Sequence, residues 1–168
     1  MNTEIARDLF VVGLRNAHAM EVQARELMER QSERMSDYPQ VQTRVRQHLD
    51  ETNGQIKRLE ECLDACGEST STIKDTAMSA IGNLAAMAHA AAGDEILKNT
   101  FANEAFEHYE IAAYKSLLTL CDKAGVRMAA EPLRQSLREE EQMADWIDVH
   151  IEEVTLDYLA NAERNGKS

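Results

Sequence analysis

The sequence predicts an all-α fold: four long helices paired as two antiparallel hairpins, joined by a short crossover helix and packed as one bundle. Three observations carry this expectation. Only two prolines and seven glycines occur in 168 residues, and the better helix formers Ala, Leu, Met, Glu, Gln and Arg are abundant. Strand-like alternation rich in β-branched or aromatic residues is absent. Four glutamates, Glu21, Glu51, Glu110 and Glu140, lie inside long helical patterns, and the two members of each pair, Glu21/Glu51 and Glu110/Glu140, stand 30 residues apart across one turn signal.

The first helix is expected from a cap at Thr3 to about Arg34, with Leu9, Phe10, Val12, Gly13, Asn16, Ala17, Met20, Ala24, Leu27 and Met28 as its inner stripe. Ser36-Asp37-Tyr38-Pro39 stops and restarts the chain, because proline fits the first helical turn, where an N–H has no partner to lose. The second helix then runs to about Cys66 with Val41, Val45, His48, Thr52, Gln55, Ile56, Leu59 and Leu63 inside, and Gly67 ends it. A polar linker, 68–72, precedes an Ala/Met-rich crossover helix over 73–92, broken by Gly93-Asp94. Asp94 caps a third long helix to about Ala124, with Gly125 as its stop, and the fourth runs from the 128–132 region to about Ala160. The tail, 162–168, is expected to fray, and the chain reads as one domain over 1–168.

Two hairpins and a crossover are the ferritin-like plan, in which carboxylates from facing helices meet in the bundle core. A faint internal duplication fits it. Residues 46–51 match 134–139 at an offset of 88, and 18–21 match 107–110 at an offset of 89.

Net charge is −12, which argues against nucleic acid, since a binder needs basic residues to displace phosphate counterions. The same charge disfavours anionic membranes, and the apolar runs are too short and Ala-rich to span a bilayer. No basic-then-apolar leader precedes the first helix, so the expected compartment is the cytoplasm. Three cysteines, an odd number, fit a reducing environment, and Cys62, Cys66 and Cys121 read as structural.

Residues three or four apart share a helix face, so His18 with Glu21, His48 with Glu51, and Glu107 with Glu110 each present ligands in one direction. A mixed carboxylate and imidazole shell suits iron or manganese better than structural zinc. The second helix of each pair departs from the usual di-iron pattern, because Gly54 and Met143 stand where Glu-x-x-His places histidine. His48 instead precedes Glu51, and its counterpart is Ser136, so Glu107 or Gln55 would have to complete a two-metal centre. Glu140 shares a stripe with Leu133, Leu137, Ala144 and Ile147, whereas the duplication points to Glu139. Arg15, Arg25 and Arg44 are candidate counter-charges for inner glutamates; Tyr109 and Tyr114 are candidate donors near the site or packed aromatics. Trp146 is expected as a core or interface anchor, and His89 and His150 away from the glutamate level.

Ala17-His18-Ala19-Met20-Glu21, Tyr38-Pro39, the Gln47–Thr52 segment, Phe106-Glu107-x-x-Glu110-Ile111-Ala112 and the Glu139–Trp146 segment together resemble the YciE/YciF family of bacterial ferritin-like stress proteins, closest to the YciE branch. The resemblance implies a ferritin-like bundle, a cytoplasmic homodimer, a role in stress and a metal site drawn from Glu21, His48, Glu51, Glu107, Glu110 and Glu140. The expected function is therefore a stress protein holding one or two iron or manganese ions and reacting with oxygen or peroxide. The alternative is a non-catalytic helical dimer, a structural or interaction module with a vestigial site.

Overall fold

Asn2 starts the first helix: its side-chain oxygen accepts from the N–H of Glu4 at 3.0 Å and of Ile5 at 3.5 Å, satisfying donors that have no partner inside a helix. Thr3, expected as the cap, is thus the first helical residue of α1, Thr3–Glu33. The structure, a computed structural model, describes residues 2–68 and 95–166. The expected crossover helix over 73–92, the Gly93-Asp94 break and His89 lie outside the described residues. Pro39 opens α2, Pro39–Ala65, and α3 covers Glu95–Ala124. A single 3₁₀ turn, Arg127–Ala129, leads into α4, Ala130–Arg164. Helix α4 outlasts the expected stop near Ala160, because neither glycine nor proline interrupts it before Gly166 and Arg164 suits the negative end of the helix dipole.

The C-terminal ends of α2 and α3 share one device. Gly67 and Gly125 adopt φ of 82° and 72°, and the residues after them donate back, Glu68 N–H to Leu63 C=O at 3.1 Å and Val126 N–H to Cys121 C=O at 3.2 Å. These are Schellman caps, which need a left-handed residue that glycine adopts without a Cβ clash.

Helix α1 packs on α2 and α3, α3 packs on α4, and the α2–α4 seam closes the ring with the fewest contacts. The inner stripe of α1 runs through Ala6, Phe10, Leu14, Ala17, Glu21, Ala24 and Met28. Leu9, Val12 and Asn16 were expected inside but face out, one position off a stripe that Phe10 and Leu14 define. On α2 every expected interior position is buried.

Two apolar clusters fill the bundle. One joins Phe10, Leu14, Leu59, Leu63, Leu117 and Leu133 at the end bearing Gly67 and Gly125. The other joins Met28, Val41, Val45, Met143, Ile147 and Val154 at the opposite end. Between them lies a buried polar layer containing Glu21, His48, Thr52, Gln55, Glu107, Glu110, Ser136 and Glu140. Among the described residues no helix is long and apolar enough to cross a membrane.

Candidate metal centre

Helical phase decides which side chains enter this layer. At ~100° per residue, Thr52 lies ~40° to one side of His48 and Gln55 ~20° to the other, so these three share the inward line of α2. Glu51 is ~60° off that line and its side chain stays 29% exposed. On α4, Ser136 and Glu140 are one turn apart and fully buried, whereas Glu139 lies at the helix edge and pairs with Arg58. Glu107, Glu110 and Tyr114 face inward from α3, and Glu21 from α1 between Ala17 and Ala24.

His48 links the layer to its rim. Glu51 Oε2 sits 2.8 Å from its Nδ1 and also accepts from Arg44 Nη1 at 3.2 Å. The other ring nitrogen, Nε2, lies 3.2 Å from Glu107 Oε2 and 3.3 Å from Glu140 Oε2. Gln55 Nε2 donates to Glu140 Oε1, and the Tyr114 hydroxyl donates to Glu21 Oε1 at 2.5 Å. Donor atoms of His48, Glu107, Glu110 and Glu140 all fall within 4.8 Å of one another.

Burial sets the protonation. It pushes the Glu21 and Glu110 carboxyls well up, with neighbouring carboxylates adding to the effect: Glu140 on Glu21, and Glu21 and Glu140 on Glu110. Glu107 is raised by burial to about 8, against the pull of His48. For His48 burial alone would favour the neutral ring, but Glu107, Glu140 and Glu51 outweigh it and raise its pKa. Glu140 and Glu51 are lowered in spite of burial, Glu140 chiefly by His48 and Glu51 by His48 and Arg44. The metal-free layer therefore rests on a His48–Glu140 ion pair and on carboxyl protons at its neighbours.

These residues fit a metal ion. Among the described residues Glu21 Oε2 and Glu110 Oε1 are buried with no hydrogen-bond partner, and Glu107 Oε2 and Glu140 Oε2 converge on one nitrogen of His48. Among the described residues no lysine or arginine pairs with any of these four glutamates. Donors bound on opposite sides of one ion at about 2.1 Å each stand roughly 4.2 Å apart, so four donors spread over 4.8 Å would draw in by about half an ångström to hold a single ion. Glu21, outside the four, would be available to a second ion through its unpartnered Oε2. If an ion displaced the Nε2 proton, Nδ1–H would still donate to Glu51 and the Nε2 lone pair would face the centre, the tautomer that a ligand histidine needs.

Of the six expected ligands, Glu21, His48, Glu107, Glu110 and Glu140 meet in one layer, and Glu51 touches the outer nitrogen of His48. Glu107 takes the fourth carboxylate position at the level expected for Glu51. His18 turns away to Glu60 at 3.3 Å, and Arg15 pairs with Glu68. Tyr109 is exposed, whereas Tyr114 is buried against Glu21. Trp146 is half-buried and stacks on His150 with ring centroids 4.1 Å apart. Sequence reasoning missed the Arg58–Glu139 pair, although the offset of 88 that matches Glu51 with Glu139 was its signal: both lie at the rim, each on an arginine.

Fold and site together define a ferritin-like helical-bundle protein with a carboxylate and histidine cluster in its core. The chain belongs to the family described as Domain of unknown function (DUF892), whose model matches residues 5–160. It is 29% identical to Protein YciF of Escherichia coli K12 over 151 residues, covering 83% of this chain and 86% of that one. A crystal structure of a Xanthomonas campestris pv. campestris protein matches with a TM-score of 0.78 and 28% identity, covering 94% of this chain and 98% of the other. The crystal structure of the E. coli stress protein YciF matches with a TM-score of 0.71 and 22% identity over 89% and 96% of the two chains. The resemblance read from the residue motifs is borne out.

Proposed function

We propose that this chain is a ferritin-like stress protein that holds iron or manganese among His48, Glu107, Glu110 and Glu140, with Glu21 available to a second ion, and that reacts with oxygen or peroxide. One observation carries the reading: four buried donors from three helices converge within 4.8 Å, without a compensating lysine or arginine among the described residues. A bound ion would supply redox chemistry towards oxygen or peroxide. The chain's own part is to hold the ligands and exclude water: Glu51 orients His48, Gln55 fixes Glu140, and Tyr114 fixes Glu21. The stress role is brought by YciF, which is named a stress protein. A cytoplasmic homodimer completes the reading; free Cys62, Cys66 and Cys121 suit that compartment, and light scattering at twice 18.9 kDa would support the dimer.

A second reading, a non-catalytic helical module with a vestigial site, is favoured by the raised carboxyls of Glu21, Glu107 and Glu110, because carboxyl protons and the His48–Glu140 pair hold the layer closed without an ion. Elemental analysis of protein purified from iron- and manganese-supplemented cells separates the two. The metal reading expects about one ion per chain or more, removed by Glu107→Ala with Glu110→Ala. Less than about 0.1 ion per chain, with no uptake on reconstitution, overturns it in favour of the second.

A further inference from the structure

We propose that divalent metal reaches the buried donors through the groove between α2 and α4, with Glu51 as the transfer carboxylate and the Arg44 guanidinium as its gate. The inference rests on the metal reading above and concerns the route to the site.

His48, Glu107, Glu110 and Glu140 are each at most 3% exposed, so an ion must pass between helices to reach them. The seam between α2 and α4 is the least tightly packed of the four. A groove of about 540 Å³ lies along it, walled by Thr43, Arg44, Gln47 and Glu51 from α2 and by Gln142 and Trp146 from α4. Glu51 joins the two spaces: its side chain is 29% exposed at the groove, and its Oε2 rests 2.8 Å from Nδ1 of the buried His48. One carboxylate therefore reaches from solvent to a side chain whose far nitrogen faces the donors. The neutral oxygens of Thr43, Gln47 and Gln142 stand where an entering cation exchanges its water.

Arg44 opposes that passage. Its side chain is 10% exposed and it holds Glu51 Oε2 at 3.2 Å, so a divalent ion must displace a guanidinium to engage the carboxylate. The net charge of −12 draws cations to the molecule, and this guanidinium meets them in the groove wall beside Glu51.

Stopped-flow uptake of cobalt(II), followed by its visible absorption in the metal-free full chain, tests the route. Gln142→Trp and Thr43→Trp start from exposed positions on opposite walls and plug the groove without touching a donor. Each should slow uptake about tenfold or more with the final cobalt per chain unchanged. Arg44→Ala should speed uptake about tenfold, within the range that a local charge has on the arrival of an ion. Glu51→Gln should slow uptake about tenfold, and an unchanged rate overturns the transfer role. Unmodified rates in both plugged variants overturn the route, and an unmodified rate in Arg44→Ala overturns the gate. No uptake by the unmodified chain overturns the metal reading and this inference with it.

Discussion

Single residues settle which carboxylates enter the core, and a shift of one position suffices. Glu140 shares its face with Leu133 and Ala144 and is fully buried, while Glu139 beside it reaches Arg58 at the rim. That outcome was legible in the apolar stripe of α4. The position of Glu51 was harder to read, because the polar cluster of His48, Thr52 and Gln55 drew it inward, yet it lies ~60° from the line those three define. The spacing of Glu107 and Glu110 already put Glu107 among the candidate ligands, but only the folded bundle shows that its side chain reaches His48 of α2. Tyr114 tests how tightly the layer is specified. Among the described residues it gives Glu21 its sole hydrogen bond, at Oε1, and Oε2 has none. Tyr114→Phe keeps the ring but strands a buried carboxyl, so it should cost about 1–3 kcal/mol, read as a lower urea midpoint at unchanged m-value. A change within ~0.5 kcal/mol, the range of an uninvolved surface substitution, would mean that Glu21 has other support.

Helix ends were read to within a residue or two wherever a stop had a chemical cause. Gly67 and Gly125 ended α2 and α3 as expected, and Pro39 opened α2. The starts were less legible: Asn2 and Thr3 are both good caps, and only the bonds to the N–H groups of Glu4 and Ile5 choose Asn2. The outward turn of Leu9 and Val12 has a similar cause, since Leu9, Phe10, Val11 and Val12 are all apolar and the stripe can be drawn through them in more than one phase. The glycine caps carry a measurable share of the stability. Gly125 holds φ at 72° while Val126 packs back against the cluster around Cys121 and Leu133. A side chain there must adopt the left-handed conformation, so Gly125→Ala should destabilise the fold by about 1–2 kcal/mol. Gly67→Ala, at φ 82°, should do the same, and the two effects should add because the turns share no partner. Urea unfolding of both single variants and the double variant checks the size and the additivity together.

The whole molecule places a charged layer between two apolar clusters, and that arrangement fixes how stability responds to pH. The bundle itself was legible because helical periodicity recurs over four long segments; the charge state was not, because it depends on carboxylates that only folding brings together. In the fold Glu21, Glu107 and Glu110 keep their protons to higher pH than the ordinary value of 4.5, up to about 8 for Glu107. A raised folded pKa gives a contribution that is complete below the unfolded value and lost as pH rises through the folded one. His48, raised above 6.5, acts in the same sense from that pH upward. Glu51 and Glu140 act in the opposite sense: lowered from 4.5, they stabilise above that value and lose their contribution as pH falls through their folded values. The metal-free protein should therefore be most stable near pH 4.5 and should lose stability steadily from there towards about pH 8.5, more steeply once His48 adds to the fall above pH 6.5. Urea midpoints measured with chelator at constant ionic strength give the curve. Glu110→Gln removes one of the raised carboxyls, so its curve should fall less steeply over the same range. Saturating manganese(II) should reverse the slope, since bound ions hold the carboxylates deprotonated and binding releases their protons. A metal-free protein that gains stability from about pH 6.5 to 8.5 would show that these carboxyls are already ionised in the fold, with a counter-charge other than the His48 and Arg44 cations supporting them.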